Sequence, residues 1–311
     1  MKIVKYTSEH KNIWDNFINN YSFNGTIFHT REFLSYHPDG KFQDESILIF
    51  NDDKLLAVFP CCLLDNNRCF SHGGSSHGGP VLIKGLRSSK IVEIVKLISS
   101  YYKKQQYSLS MRIPEQVFSD EPIDTILYGF QSEGFYISTE LSVSAPLVNL
   151  ESRLSKNCIR NIKKYNNFEL KSDDESYKLF HKMLKENLKK HKANPTHSID
   201  ELIYLKNLFG KERCMLILTK QDGKIMSGVW SIRCRDTWYA FYICKDYNIQ
   251  GNHSTVYSLY QSMIESRKTG ATNYCFGICT ENGGSYLNTG LIDFKETLGA
   301  IPVNRYLLTH K

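Results

Sequence analysis

Apolar positions in the first half of this 311-residue chain alternate between helical and strand periods, which predicts a mixed α/β lobe. Residues 89–105 carry Ile91, Ile94, Val95 and Ile98 at helical spacing and predict an amphipathic helix. The same reasoning predicts a strand at 3–6, a helix at 8–19 capped by Ser8, a helix at 28–36, strands at 46–51, 54–64, 81–84 and 107–112, a helix at 120–134, and strands within 135–147.

The second half repeats this order of elements in a longer form. Its pattern predicts a basic helix at 150–165, a strand at 168–172, helices at 174–192 and 200–208, strands at 214–220, 224–234 and 237–245, a helix at 255–270 and a strand from 274. Asp222-Gly223 is a hairpin turn signal, and Ser198 is a helix N-cap signal. We therefore predict a mixed-sheet α/β protein of two lobes, 1–148 and 149–311.

Composition is that of a folded globular protein, with 41% hydrophobic and 23% charged residues. No window reaches the roughly 18 apolar residues of a membrane span, and no apolar leader follows Met1, so we expect a cytoplasmic protein. The nine cysteines lie inside apolar runs without paired metal spacing, which predicts reduced core thiols. His181, His191 and His197 fit no zinc spacing, so we expect no metal.

The net charge of +7 favours an anionic partner. Basic residues outnumber acidic ones between Arg153 and Lys192, where two interpretations stay open. This segment is either a solvated helix face or a surface for phosphates or RNA.

A glycine-rich stretch, residues 71–80, separates two predicted strands and reads Ser-His-Gly-Gly-Ser-Ser-His-Gly-Gly-Pro. Glycines allow backbone N–H groups to approach a ligand closely. We expect a substrate-facing loop with contacts from Ser75, His77, Gly78 and Gly79; a flexible connector is the alternative.

A second polar segment follows the strand at 274 and contains Glu281, Asn282 and Asn288, with Phe294 and Lys295 further on. Sites in α/β proteins lie where strands end in polar loops. This segment is therefore the first candidate for the functional site.

Several short motifs follow one another along nearly the whole chain: Gly25-Thr-Ile-Phe-His-Thr30 with Phe33-Leu34, Gly78-Gly-Pro80, Ser155-Lys-Asn157, Arg160-Asn-Ile-Lys-Lys164, His191, Pro195-Thr-His-Ser198, Tyr274-Cys-Phe-Gly277, Glu281-Asn282, Leu287-Asn-Thr-Gly-Leu291 and Phe294-Lys295. Together they resemble the two-lobed Fem-like branch of the GNAT acyltransferase superfamily and related proteins of bacterial surface-polysaccharide gene clusters. The resemblance implies tandem GNAT-like lobes with a cleft between them and transfer of an acyl group to an amine.

In ordinary GNAT enzymes acyl-CoA lies between two splayed strands, and its pyrophosphate binds backbone N–H groups at a helix N-terminus. The matching positions here are Gln250, Gly251, Asn252 and Ser254, in a degraded form of the motif. Fem-like enzymes instead take the acyl group from aminoacyl-tRNA. They also bind the acceptor diphosphate through a Phe-Lys pair, which implies phosphate binding by Lys295.

Acyl transfer to an amine requires a base, and the candidates in order are Glu281, His253 and His197. Asn282 and Asn288 are candidates for acceptor hydroxyls, and Tyr242 is a candidate for the site floor or for core packing. The favoured function is N-acylation of a nucleotide-linked amino sugar by acyl-CoA. The alternatives are aminoacyl-tRNA-dependent transfer to a peptidoglycan precursor, a non-catalytic GNAT-like binding module, and RNA binding by the basic segment.

Overall fold

The computed structural model describes residues 1–38, 40–65, 67–190 and 192–310. Its strands, in chain order, are β1 (Lys2–Lys5), β2 (Gln43–Asp44), β3 (Ile47–Asn51), β4 (Lys54–Phe59), β5 (Cys62–Leu63), β6 (Arg68–Ser71), β7 (Val81–Leu82), β8 (Ser108–Ile113), β9 (Tyr136–Pro146), β10 (Phe168–Lys171), β11 (Cys214–Gln221), β12 (Lys224–Cys234), β13 (Thr237–Lys245), β14 (Asn273–Ile278), β15 (Thr280–Glu281), β16 (Tyr286–Leu287) and β17 (Ile301–Thr309).

The α-helices, in chain order, are α1 (Lys11–Asn16), α2 (Arg31–Leu34), α3 (Ser88–Lys104), α4 (Asp124–Ser132), α5 (Leu150–Arg153), α6 (Lys156–Ile162), α7 (Asp174–Lys189), α8 (Ile199–Arg213), α9 (Ser254–Lys268) and α10 (Thr289–Glu296). Short 3-10 turns cover Ser8–His10, Ile27–His29, Gln116–Phe118 and Asn282–Gly284, and a π turn covers Phe17–Tyr21. Among these helices, none is long and apolar enough to cross a bilayer.

The chain forms two compact units. Unit 1 comprises Met1–Leu141, Thr280–Leu287 and Val303–Lys311, and unit 2 comprises Ser142–Cys279 and Asn288–Pro302. The sequence predicts one boundary after residue 148, whereas the units are interleaved, because the chain returns to unit 1 at Thr280 and again at Val303.

Unit 1 contains a four-stranded antiparallel sheet in the order β1-β3-β4-β7 and a mixed arrangement in the order β17-β8-β6-β5-β2, in which β6 and β8 are parallel. Helices α3 and α4 pack on this unit's core. The apolar stripe of α3, which includes Ile94, Val95 and Ile98, is fully buried there. The predicted amphipathic helix is therefore confirmed with bounds one residue from those expected.

Unit 2 contains an antiparallel meander β10-β11-β12-β13, followed by β14 parallel to β13 and by residues 142–146 of β9 antiparallel to β14. The predicted three-strand meander and the Asp222-Gly223 hairpin turn are confirmed. Helix α9 connects β13 to β14 and lies on the sheet through buried hydroxyl groups. Ser258 Oγ is 2.6 Å from Thr219 Oγ1 and 2.7 Å from Ser227 Oγ.

Three predicted helices are interrupted. The segment 28–36 forms the 3-10 turn Ile27–His29 and then α2, because Thr30 between them is extended. The segment 150–165 forms α5 and α6 because Leu154 is extended and the Ser155 side chain accepts the Cys158 N–H as a new N-cap. The segment 8–19 begins as a 3-10 turn capped by Thr7, so the predicted Ser8 cap is wrong by one residue. All nine cysteines are buried free thiols, as predicted.

Candidate functional site

Strands β13 and β14 lose their pairing part of the way along unit 2's sheet. Parallel pairing joins Thr237–Tyr239 to Asn273–Cys275 and ends there. Strand β13 continues along β12 to Lys245, and β14 continues along β9 to Ile278. The two strands are therefore no longer paired with each other beyond Tyr239 and Cys275.

Each of these strands also contains a bulge near this point. Trp230 pairs with Tyr242 and Ser231 with Ala240, which leaves Phe241 as an extra residue in β13. A bulge takes a residue out of the regular ladder of hydrogen bonds. In β14 the register shifts between Cys275 and Gly277, which makes Phe276 the extra residue there.

Gly277 adopts a left-handed conformation with φ of +72° and lies against Tyr239. A Cβ at this position would be 3.1 Å from the Tyr239 ring and hydroxyl atoms. The glycine is therefore required both by its backbone conformation and by the close approach of the ring.

The side chain of Lys295, on helix α10, forms hydrogen bonds with the end of β14. Its side chain is buried, with 4% of the residue exposed, and Nζ donates to the carbonyl oxygens of Gly277 at 3.0 Å and Ile278 at 2.9 Å. These carbonyls stabilise an ammonium group that burial would otherwise destabilise. At the start of the same helix, the side chain of Asn288 accepts the Leu291 N–H, so this predicted acceptor-binding residue is the N-cap of α10.

A cavity of about 340 Å³ lies between the end of β13 and the start of α9. Its walls are Asn187, Ile243, Cys244, Lys245, Tyr247, Asn252, His253, Thr255, Val256 and Phe294. The Thr255 Oγ1 atom is buried there and has no hydrogen-bond partner among the described residues. This volume is at the lower end of the range for small-molecule sites.

The predicted cofactor turn at the start of α9 is already held by side chains of the protein. Asn252 Oδ1 accepts the N–H of Ser254 at 3.0 Å and its hydroxyl at 2.6 Å. The His253 N–H donates to Tyr165 Oη at 3.0 Å. Gln250 and Gly251 are exposed. The Asn252 N–H donates to the Ile249 carbonyl oxygen at 3.3 Å. Three of the amides expected to bind a pyrophosphate therefore have partners within the chain.

The three candidate bases lie in different surroundings. His253 is exposed and lines the cavity at the start of α9. His197 is buried, with Nδ1 2.8 Å from Tyr242 Oη, and its carbonyl oxygen lies 3.0 Å from His181 Nε2. Glu281 is exposed on β15 of unit 1. Within unit 2, the structure thus brings His253, and not His197, to the cavity wall.

Tyr242 packs against Trp230 with nearly parallel rings at a centroid distance of 6.0 Å. Burial raises the pKa of its hydroxyl, and hydrogen bonds from Thr196 and His197 oppose that shift. These contacts match the core-packing alternative for Tyr242. Asn282 is exposed in unit 1 with φ of +51°, and its carbonyl oxygen accepts from Ser285.

The glycine-rich loop of unit 1 is largely buried. His77 Nδ1 is 3.1 Å from Thr26 Oγ1, and burial lowers the pKa of the His77 ring. Ser75 Oγ lies 3.0 Å from the Phe28 carbonyl oxygen. A Cβ on Gly78 would be 1.7 Å from the carbonyl oxygen of Ser71, so close packing requires this glycine. Substrate contact by Ser75, His77, Gly78 and Gly79 remains a prediction.

Among the described residues, no group of three or more His, Cys, Asp or Glu side chains is placed to hold a metal ion. His191, one of the three histidines weighed for a metal, lies outside the described residues.

Sequence reasoning missed a basic aromatic surface in unit 2, which we call the Lys-Tyr surface: Lys182, Lys190, Lys245 and Tyr247. Lys190 Nζ lies 3.6 Å from the Tyr247 ring centroid, and Lys245 Nζ lies 4.9 Å from it. All four residues line a cavity of about 300 Å³. The lysine-rich pattern of α7 indicated part of this surface, but Lys245 and Tyr247 follow 50 residues later in the chain.

Comparison with solved structures identifies the fold. The whole chain is similar to FemX, with a TM-score of 0.72, 12% sequence identity and coverage of 99% of this chain and 97% of that one. It is also similar to a tandem GNAT protein from the clavulanic acid biosynthesis pathway, with a TM-score of 0.56, 9% identity and coverage of 99% and 98%.

A third similar structure is the C-terminal domain of a putative lysylphosphatidylglycerol synthetase from Agrobacterium fabrum, with a TM-score of 0.59, 11% identity and coverage of 85% and 84%. No protein-family model and no curated protein matches the sequence. The chain therefore has the mixed α/β fold of Fem-like and tandem GNAT proteins, and at these identities the likeness concerns the fold alone.

Proposed function

We propose that this chain is a cytoplasmic N-acyltransferase that acylates the amine of a nucleotide-linked amino sugar used for surface polysaccharide. The observation that carries the acyl-transfer reaction is the loss of pairing between β13 and β14 beyond Tyr239 and Cys275, beside the 340 Å³ cavity. The family resemblance implies that the acyl donor lies between two such strands. The amino-sugar acceptor rests on the resemblance to polysaccharide-cluster proteins.

In this reaction the amine nitrogen attacks the acyl carbonyl carbon and forms a C–N bond. The bond to the thiol or hydroxyl leaving group then breaks, and the leaving group takes up a proton. We propose that His253, which lines the cavity, accepts the proton that the amine loses.

Lys295 retains a proposed role in binding the acceptor phosphate, by resemblance. Two backbone carbonyls already engage its ammonium group, so a phosphate would add to, or replace, these partners. The effect of Lys295 on the KM for the acceptor separates this role from a structural one.

The donor predicted from sequence is acyl-CoA, but two observations favour aminoacyl-tRNA as a second candidate. First, Asn252 and Tyr165 occupy amides at the start of α9 that a CoA pyrophosphate would use. Second, the Lys-Tyr surface combines cations with an exposed ring, and such a combination binds single-stranded nucleic acid by charge and stacking. Fem-like transfer to a peptidoglycan precursor is the corresponding alternative reaction.

Calorimetric titration with acetyl-CoA, charged tRNA and uncharged tRNA at two salt concentrations tests the donor. Micromolar binding of acetyl-CoA would establish the first donor. Preferential binding of charged tRNA, without binding of CoA, would establish the second. If tRNA binds with strong salt dependence but yields no acyl product, RNA binding would replace the enzymatic proposal. If no ligand binds, the protein would be a non-catalytic binding module.

A further inference from the structure

Unit 1 contains a buried arginine that is held between two aromatic rings. Arg31 opens helix α2 and is 5% exposed. Its guanidinium carbon lies 3.5 Å from the Tyr6 ring centroid and 4.0 Å from the Trp14 ring centroid. Nη1 forms an ion pair with Asp44. Cation–π contacts and the carboxylate together hold the guanidinium in one orientation.

The opposite edge of this guanidinium has no hydrogen-bond partner. The Nε and Nη2 atoms of Arg31 are both buried, and neither has a hydrogen-bond acceptor among the described residues. A buried donor without an acceptor costs about 1–3 kcal/mol. Arg305, another arginine of unit 1, can be compared with Arg31. Its Nε and Nη2 atoms donate to Glu140 Oε2 at 2.9 and 2.6 Å. The Nε–Nη2 edge donates to a carboxylate at Arg305, whereas at Arg31 it has no acceptor among the described residues.

Arg31 lines a cavity of about 340 Å³ that lies wholly within unit 1. The cavity wall also includes Tyr6, Lys11, Phe42, Asp44 and His72. Burial lowers the pKa of His72 to about 4, so this ring is neutral at physiological pH. Among the described wall residues, Lys11 and Arg31 are cationic and Asp44 is anionic.

We propose that this cavity binds a small organic anion through a carboxylate or phosphate that accepts both the Nε–H and an Nη2–H of Arg31. A planar or tetrahedral oxyanion has the acceptor spacing that this edge requires. The aromatic rings of Tyr6 and Phe42 provide apolar walls for the body of the ligand. This site is additional to the proposed acyl-transfer site and does not depend on it.

The direct test is an NMR titration of the full-length chain that follows the arginine Nε–H resonances. The probes are benzoate, phenyl phosphate and inorganic phosphate, which separate a carboxylate from a phosphate and test the need for an apolar body. We expect the Arg31 Nε–H resonance to shift and the Kd for benzoate or phenyl phosphate to be below about 1 mM. If no probe moves that resonance, the proposal is overturned, and this readout uses the unaltered chain.

Three variants sharpen the test by calorimetry. Arg31→Lys keeps the positive charge but removes the two-donor edge, and Leu34→Trp fills the cavity wall while keeping Arg31. Arg112→Lys is the matched control, since Arg112 is a partly buried arginine of unit 1 that does not line this cavity. We expect at least a tenfold loss of affinity for the first two and no change for the control. Wild-type affinity in both Arg31→Lys and Leu34→Trp would contradict the site.

Discussion

The Lys295 ammonium group donates to the Gly277 carbonyl oxygen at 3.0 Å, and this bond holds the end of β14 where its pairing with β13 has already ended. The donor is buried, and the acceptor belongs to a left-handed glycine in a bulged strand. Helix α10 therefore supports the end of β14 that has separated from β13 through one side chain.

Substituting Lys295 by Met should destabilise the protein by about 1–3 kcal/mol, because the carbonyls of Gly277 and Ile278 lose a charged donor. Urea unfolding measures the change. Lys268→Met is the control, since that side chain is 63% exposed and pairs with Glu265 on the surface of α9. We expect the control to change stability by less than about 0.5 kcal/mol.

The same residue has a separate kinetic prediction. If Lys295 also binds the acceptor phosphate, Lys295→Ala should raise the KM for the acceptor at least tenfold. Comparing KM with the unfolding free energy distinguishes the roles. A stability loss with an unchanged KM would leave Lys295 purely structural.

Gly277→Ala should lower both stability and activity. The new Cβ would occupy a left-handed conformation and lie 3.1 Å from the Tyr239 ring, so we expect a loss of about 1–3 kcal/mol. Gly283→Ala is the matched control, with φ of +66° and no atom within 4 Å of the new Cβ. Equal losses in the two variants would show that contact with Tyr239 contributes nothing.

His253→Gln and Glu281→Gln decide between two candidate bases. His253 is exposed and lines the cavity at the start of α9, so we expect His253→Gln to lower kcat about 100-fold with a small effect on folding. Steady-state kinetics with the established donor measures the effect. Should Glu281→Gln lose kcat while His253→Gln retains it, the order predicted from sequence would be restored.

Tyr247→Ala should weaken binding of single-stranded nucleic acid by about 1–3 kcal/mol if the Lys-Tyr surface stacks bases. Lys190→Ala should in addition reduce the salt dependence of binding. Tyr204→Ala is the control. Tyr204 lies on α8 and is about as exposed as Tyr247, but it does not line the cavity that contains these lysines. Equal affinity in Tyr247→Ala and Tyr204→Ala would exclude stacking at Tyr247.

Stability should fall as the pH falls from about 6.5 toward about 4. Burial lowers the pKa of His29 to about 4, and its Nδ1 accepts the Thr26 N–H, so the folded protein holds this ring neutral. An unfolded histidine has a pKa of about 6.5. Protons therefore bind the unfolded chain preferentially in this range, and stability is complete only above it.

At about pH 5 this linkage removes about 2 kcal/mol for His29, relative to neutral pH. Urea unfolding of wild type and His29→Gln at both pH values measures the difference. We expect the variant to lose about 2 kcal/mol less than wild type on acidification. An identical loss in both proteins would show that His29 does not titrate in this way.

The elements that the sequence predicted well are those whose signal is local. The apolar period of residues 91–98 is carried by one helix face, and Asp222-Gly223 supplies two adjacent positive φ values for its hairpin. The Ser198 cap is also confirmed, since its side chain accepts the Glu201 N–H three residues away. In each case the residues that interact are close in the chain.

The site was predicted only in part. The sequence pointed to the strand from Tyr274 and the turn before α9, and both border the region where β13 and β14 separate. It did not reveal that Tyr165 would take the His253 N–H, or that the Lys295 side chain would turn inward to β14. Those partners are 88 and 18 residues apart, so no local period marks them.

By itself, the sequence determined the order of helices and strands, their buried faces and the turn chemistry, because these depend on neighbours within a few residues. Only the tertiary structure decided which polar groups would form hydrogen bonds. Lys295 donates to two carbonyls, whereas Nε and Nη2 of Arg31 are buried without an acceptor among the described residues. Such pairings depend on segments that meet in space after folding, and the identity of a residue does not specify its distant partner.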